Sequence, residues 1–107
     1  MKPIVDEIAI KFRDTLKTAN VGFEGLYVFG SQINGLTSPN SDIDIVLLFK
    51  HDSYYLPNEY YEILSQMRYD YFDIVDLDIH TKTFQQLQSN PIFYNEVVNK
   101  GVFYSAI

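Results

Sequence analysis

Gly30-Ser31 directly follows an apolar run, and Asp42 and Asp44 stand eleven and thirteen residues beyond the serine. A Gly-Ser pair placed where a buried strand turns into a helix offers unpaired backbone N–H groups to a phosphate. Two aspartates one residue apart on a strand point to one face, because side chains alternate, while Ile43 and Ile45 point to the other. Carboxylates suit Mg²⁺, a hard cation that takes one or two of them and completes its shell with waters and substrate phosphates. Each feature alone is ordinary: Gly-Ser is a common turn, and Asp-x-Asp describes many solvated strand faces. Here the strand turns wholly apolar after its second aspartate, through Ile45, Val46, Leu47, Leu48 and Phe49. Burying unpaired carboxylates is expensive, so two charges at the head of a core-bound strand call for a ligand. The combination is an address for a nucleoside triphosphate and its metal.

The elements that must position these residues follow from spacing. Residues 3–18 form an amphipathic helix, with Ile4, Ile8, Phe12 and Leu16 four apart and Pro3 in its first turn. Residues 25–29 make a first strand, 31–36 a short helix, 37–40 a turn-forming loop and 42–49 a second strand. After a polar, aromatic loop over 50–58, Tyr60, Ile63, Leu64 and Met67 give a helix over 59–68, and residues 72–79 read as a third strand. A helical turn over 83–88, a helix over 91–99 with Pro91 at its start, a stop at Gly101 and the apolar Val102-Phe103-Tyr104 complete the order.

The chain has 107 residues, the size of one domain, 1–107. With fourteen acidic and eight basic residues its net charge is −6, and no Lys/Arg cluster forms the basic stripe that long nucleic acid requires. Bound Mg²⁺ is expected to stabilise the fold by relieving repulsion among the aspartates. There is no cysteine, hence no disulfide or thiolate metal site. No signal-peptide stretch or membrane-spanning apolar run is visible, so a cytoplasmic location is the expectation. His51 and His80 belong to no spaced ligand set and read as ordinary surface residues. Tyr54-Tyr55, among nine tyrosines, suggests a docking surface as readily as packing.

At Val28-Phe29-Gly30-Ser31, Gly35 and Ser41-Asp42-Ile43-Asp44-Ile45-Val46 the chain resembles the minimal nucleotidyltransferases (MNT domains), the small branch of the DNA polymerase β superfamily. The resemblance runs from about Gly25 to Tyr104 and is most specific over residues 28–46. It implies an α/β (α+β) fold: a small mixed sheet of three to four strands, with helices packed mainly on one face. It also implies a third carboxylate on a later strand. Phe72-Asp73-Ile74-Val75 looks like the family's pattern and opens the third strand, so Asp73 is the expected residue, with Asp76 the alternative. Strand parity puts Asp76 and Asp78 on one face and Asp73 on the other, leaving Asp76 and Asp78 as a polar outer face at the sheet's edge.

What the resemblance implies for function is metal-assisted nucleotidyl transfer from ATP. Asp42, Asp44 and Asp73 would hold two Mg²⁺ ions, and Gly30, Ser31 and Ser41 would meet the nucleotide. Many members carry Arg or Lys after the Gly-Ser, whereas this chain reads Gln32-Ile33-Asn34 and has no basic residue between Glu24 and Lys50. Lys50, Arg68 or Lys82 would have to compensate. Stand-alone domains of this kind resemble antitoxins that transfer AMP to a HEPN-family helical toxin. The alternatives are a non-catalytic binding partner and a small-molecule, aminoglycoside-like nucleotidyltransferase, for which 107 residues leave no room for an acceptor domain. Half the active site of such a minimal domain stays open, so the acceptor or another chain, a further copy included, would close it.

Overall fold

Pro3 occupies the first turn of α1 (Pro3–Ala19), whose buried residues Val5, Ile8, Ala9, Phe12 and Leu16 recur three and four apart, and Asn20 ends it in the left-handed conformation with φ 55°. A computed structural model describes residues 2–34 and 42–107. Within them follow β1 (Phe23–Phe29), α2 (Ser31–Asn34), β2 (Ile43–Phe49), a 3₁₀ turn (Ser53–Tyr55), α3 (Asn58–Tyr71), β3 (Leu77–Lys82), α4 (Phe84–Gln88), α5 (Pro91–Tyr94), a π turn (Asn95–Asn99) and β4 (Val102–Ser105). The expected end of α2 at Leu36, the turn over 37–40, Gly35 and Ser41 lie outside the described residues.

The four strands form one mixed sheet, as the resemblance implies, and their order is β3-β2-β1-β4. β1 pairs antiparallel with β2 and β4, and β2 pairs parallel with β3 across the α3 crossover. β2 is apolar in sequence because it is central and covered on both faces. Ile43, Ile45, Leu47 and Phe49 join the larger cluster with α1 and α3, including Phe12, Leu64 and Met67. Val46 and Leu48 join a smaller cluster with Phe29, Leu87 and Val97 under the C-terminal helices. Thr83 caps α4 reciprocally with Gln86, which fixes where β3 ends and the second cover begins. Among the described residues no helix is long and apolar enough to cross a membrane.

One expectation needs correction. The third strand does not occupy 72–79: α3 continues to Tyr71, Phe72 is its C-cap, and β3 begins only at Leu77. The reason is packing, since Tyr71 is buried in line with Tyr60, Leu64 and Met67 and prolongs the helix by another turn. Asp73 therefore sits exposed in the turn that closes α3, off the sheet.

Gly101 lies where the π turn meets β4. A side chain there would run into the Val97 carbonyl oxygen and come within 2.8 Å of that of Val28. Both obstacles are backbone and cannot rotate away. Gly101→Ala is expected to lower unfolding free energy by about 1–3 kcal/mol, measured by urea denaturation with an unchanged m-value.

Candidate active site

Register turns the sheet into rows. Phe29 of β1 pairs with Asp44 of β2, and Asp44 pairs with Asp78 of β3, so these three side chains share a row and a face. The next row on that face is Tyr27, Val46 and His80. Asp42, immediately before β2, is exposed at the mouth of the first row, while Asp44 is half-buried. The carboxylate that register brings to Asp44 is thus Asp78, expected at a polar outer edge; Asp73, the expected residue, and Asp76, its alternative, precede the strand. The backbone carbonyl of Asp76 instead accepts from the Ile43 N–H at 2.9 Å and ties the strand starts together.

Gly30 turns the chain out of β1 with φ +78°, and α2 starts at once, the Ile33 N–H donating to the Gly30 carbonyl at 3.0 Å. A Cβ at Gly30 would collide with the Asp44 carboxylate, whose carbon would lie 3.2 Å away. The absent side chain is what lets the Gly30-Ser31 turn sit against the carboxylate row. Gln32 is buried and donates from Nε2 to the Asp42 carbonyl at 3.4 Å. The residue that stands where a cation was missed therefore anchors the aspartate segment to α2.

Burial, the hydrogen bond with Asp78 and the negative charges of Asp78 and Asp42 push the Asp44 carboxyl up to about 6, with His80 acting in the opposite direction. An aspartate crowded by two others offers oxygen donors that fit Mg²⁺ in chemical type. Among the described residues no group of three or more His, Cys, Asp or Glu is arranged to hold a metal unaided.

The cations considered for compensation are elsewhere. Lys50 follows the far end of β2, about 20 Å along the strand from Asp44 at roughly 3.3 Å per residue, and Lys82 pairs with Leu48 at that same end. Arg68 lines a surface cavity of about 200 Å³ with Phe72, Val75, Asp76 and Leu77, on the α3 side of the sheet. Phosphate charge at the carboxylate row is not met by Lys50 or Lys82. His80, read from sequence as an ordinary surface residue, stands instead beside the row, its Nε2 3.5 Å from Asp78 Oδ2.

Because Asp44 holds its proton in the fold more tightly than at its ordinary 3.8, the stability this contributes is present below that pH and lost as pH rises through about 6. Metal-free wild type should therefore lose melting temperature relative to Asp44→Asn between pH 4 and pH 7, and scanning calorimetry across that window checks it.

The chain matches the family model described as polymerase beta, nucleotidyltransferase, over residues 11–102. No curated protein matches it. Among solved structures, a chain of a toxin-antitoxin complex with AMP-PNP is 24% identical, with a TM-score of 0.56 over 89% of this chain and 70% of that one. A chain of the toxin-antitoxin MntA-HepT is 22% identical, with a TM-score of 0.55 over 92% and 69%. A third, from the tri-AMPylated Shewanella oneidensis HEPN toxin in complex with MNT antitoxin, is 20% identical, with a TM-score of 0.52 over 92% and 70%. These likenesses show a shared fold. With a family model spanning most of its length, the chain belongs to the polymerase beta nucleotidyltransferase family.

Proposed function

We propose that the protein transfers AMP from ATP to a hydroxyl of a HEPN-type helical partner, acting as the antitoxin of a toxin-antitoxin pair. The observation that carries this is the row Asp44-Asp78 with Asp42 at its mouth, set against the Gly30-Ser31 turn in a chain of this family. The choice of nucleotide and partner follows the structural neighbours, one holding AMP-PNP and another an AMPylated HEPN toxin with its MNT antitoxin.

In this reading Asp42, Asp44 and Asp78 hold Mg²⁺, with Asp78 replacing Asp73 as third carboxylate. When bound, Mg²⁺ supplies Lewis-acid stabilisation of the reacting phosphate and of the departing pyrophosphate. The acceptor oxygen forms a bond to the α-phosphorus as the bond from that phosphorus to the bridging oxygen breaks. Asp78, on the edge strand with 51% of its side chain exposed, is open to an incoming hydroxyl and takes its proton. Pyrophosphate leaves along the Gly30-Ser31 turn, which the missing Cβ lets sit against the Asp44 carboxylate. The row lies at the strand ends with Asp42 exposed, which suits a protein acceptor.

A second reading, a binding partner without catalysis, is favoured by the absence of Lys and Arg between Glu24 and Lys50 and by the distance of Lys50 and Lys82 from the row. One experiment separates them: incubation with α-labelled ATP, Mg²⁺ and a HEPN-type partner. Label should reach the partner, and Asp42→Asn, Asp44→Asn and Asp78→Asn should each reduce its rate by about 100-fold or more, given several kcal/mol of metal stabilisation. Asp73→Asn should leave the rate within about 2-fold, as expected of an exposed turn residue. A stable complex without label would establish the binding reading.

A separate check concerns the turn. Gly30→Ala should weaken ATP affinity by about 10-fold or more, about 1.4 kcal/mol, measured by calorimetric titration with Mg²⁺ present.

A further inference from the structure

Asp78 carries a difficulty that Asp44 does not. Asp44 is on a central strand with Phe29 on one side and Asp78 on the other, whereas Asp78 is on the edge strand, half-exposed, with a strand neighbour on one side only. A side chain so placed has several rotamers open to it besides the one that hydrogen-bonds Asp44. For it to share a cation with Asp44, something must select one.

His80 is placed to do so. It follows Asp78 by two residues on β3 and shares its face. Its ring lies 6.0 Å from Phe29 and 5.5 Å from Phe93, centroid to centroid, and those two phenyl rings meet edge to face at 5.5 Å and 87°. Phe29 is buried at the end of β1, and Phe93 descends from α5. Residues of three elements therefore pack around one partly exposed imidazole, whose Nε2 lies 3.5 Å from Asp78 Oδ2. Outer-sphere partners of this kind orient metal-binding carboxylates and tune affinity for the ion.

We infer that His80 is a positioning residue: clamped by Phe29 and Phe93, it holds the Asp78 carboxylate in the orientation in which Asp78 and Asp44 take up one divalent cation. The inference rests on the assignment of Asp78 as third carboxylate. It needs a hydrogen on Nε2, which the neutral Nε2–H tautomer and the imidazolium both supply, so it does not turn on the ring's charge.

The test uses Mn²⁺ as probe on the full chain without nucleotide, its affinity measured by calorimetric titration so that turnover plays no part. His80→Phe preserves the ring cluster but removes the donor and should weaken Mn²⁺ binding by about 10-fold or more. His80→Gln restores a donor and should recover much of that loss. In an Asp78→Asn background His80→Phe should cost nothing further, because the group it positions is gone. Phe93→Ala unclamps the ring while keeping it and should also weaken binding, which supports the inference even should His80→Phe melt early. Unchanged affinity in both His80→Phe and Phe93→Ala, with binding still lost in Asp44→Asn and Asp78→Asn, overturns the positioning role alone. So do additive losses in the double variant. Affinity indifferent to Asp44→Asn and Asp78→Asn overturns the assignment of the site itself.

Discussion

Two carboxylates from neighbouring parallel strands, Asp44 and Asp78, stand side by side in register with a third, Asp42, at the strand's entrance. Burial, then the hydrogen bond with Asp78 and the repulsion within the row, push the Asp44 carboxyl up to about 6. Something else must hold the strands in that register. β2 does so by being oil on both faces beyond Asp44: its odd-numbered side chains pack with α1 and α3 and its even-numbered ones under the C-terminal helices. A slip of one residue would turn both apolar sets around. Gly30 completes the constraint from below, since any side chain there would occupy the space of the Asp44 carboxylate.

Charge is distributed along the sheet to match. The strand starts gather Asp42, Asp44 and Asp78, while Lys50, His51 and Lys82 collect at the other end of β2 and β3. On the proposed reading the row receives positive charge from metal rather than from lysine or arginine, and Gln32 serves as an anchor for Asp42 where a basic side chain would otherwise meet phosphate. His80 of the second row, packed against Phe29 and Phe93, joins the edge strand to the smaller core.

Much of this was legible in the sequence. The 3.6-residue spacing of Ile8, Phe12 and Leu16 gave α1, and the apolar run after Asp44 marked a core-bound strand, whereas its cover on both faces came only with the C-terminal helices. What misled was the stretch 72–79, where apolar residues alternate with aspartates as a strand would. The decisive signal was Tyr71, four residues after Met67 and thus on the buried face of α3, which carries the helix past Arg68 and delays the strand to Leu77. Once β3 starts there, parallel pairing sets Asp78 beside Asp44, an outcome of tertiary register that local pattern does not contain. His80 was hidden for the same reason: its partners Phe29 and Phe93 are 51 and 13 residues away along the chain and meet it only through the fold. Ser41 and Gly35 belong to the motif by sequence alone.

The central claim, that the row is where the protein takes a divalent cation, is tested most directly by substoichiometric Mn²⁺ added to isotope-labelled protein and read as paramagnetic broadening of backbone amide signals. The account predicts selective loss of signal at Gly30, Asp44, Asp78 and His80, with Lys50, His51 and Lys82 at the far strand ends unaffected. Broadening centred instead on another acidic surface, such as the groove between α1 and α3 lined by Glu59, Glu62 and Asp70, would contradict it.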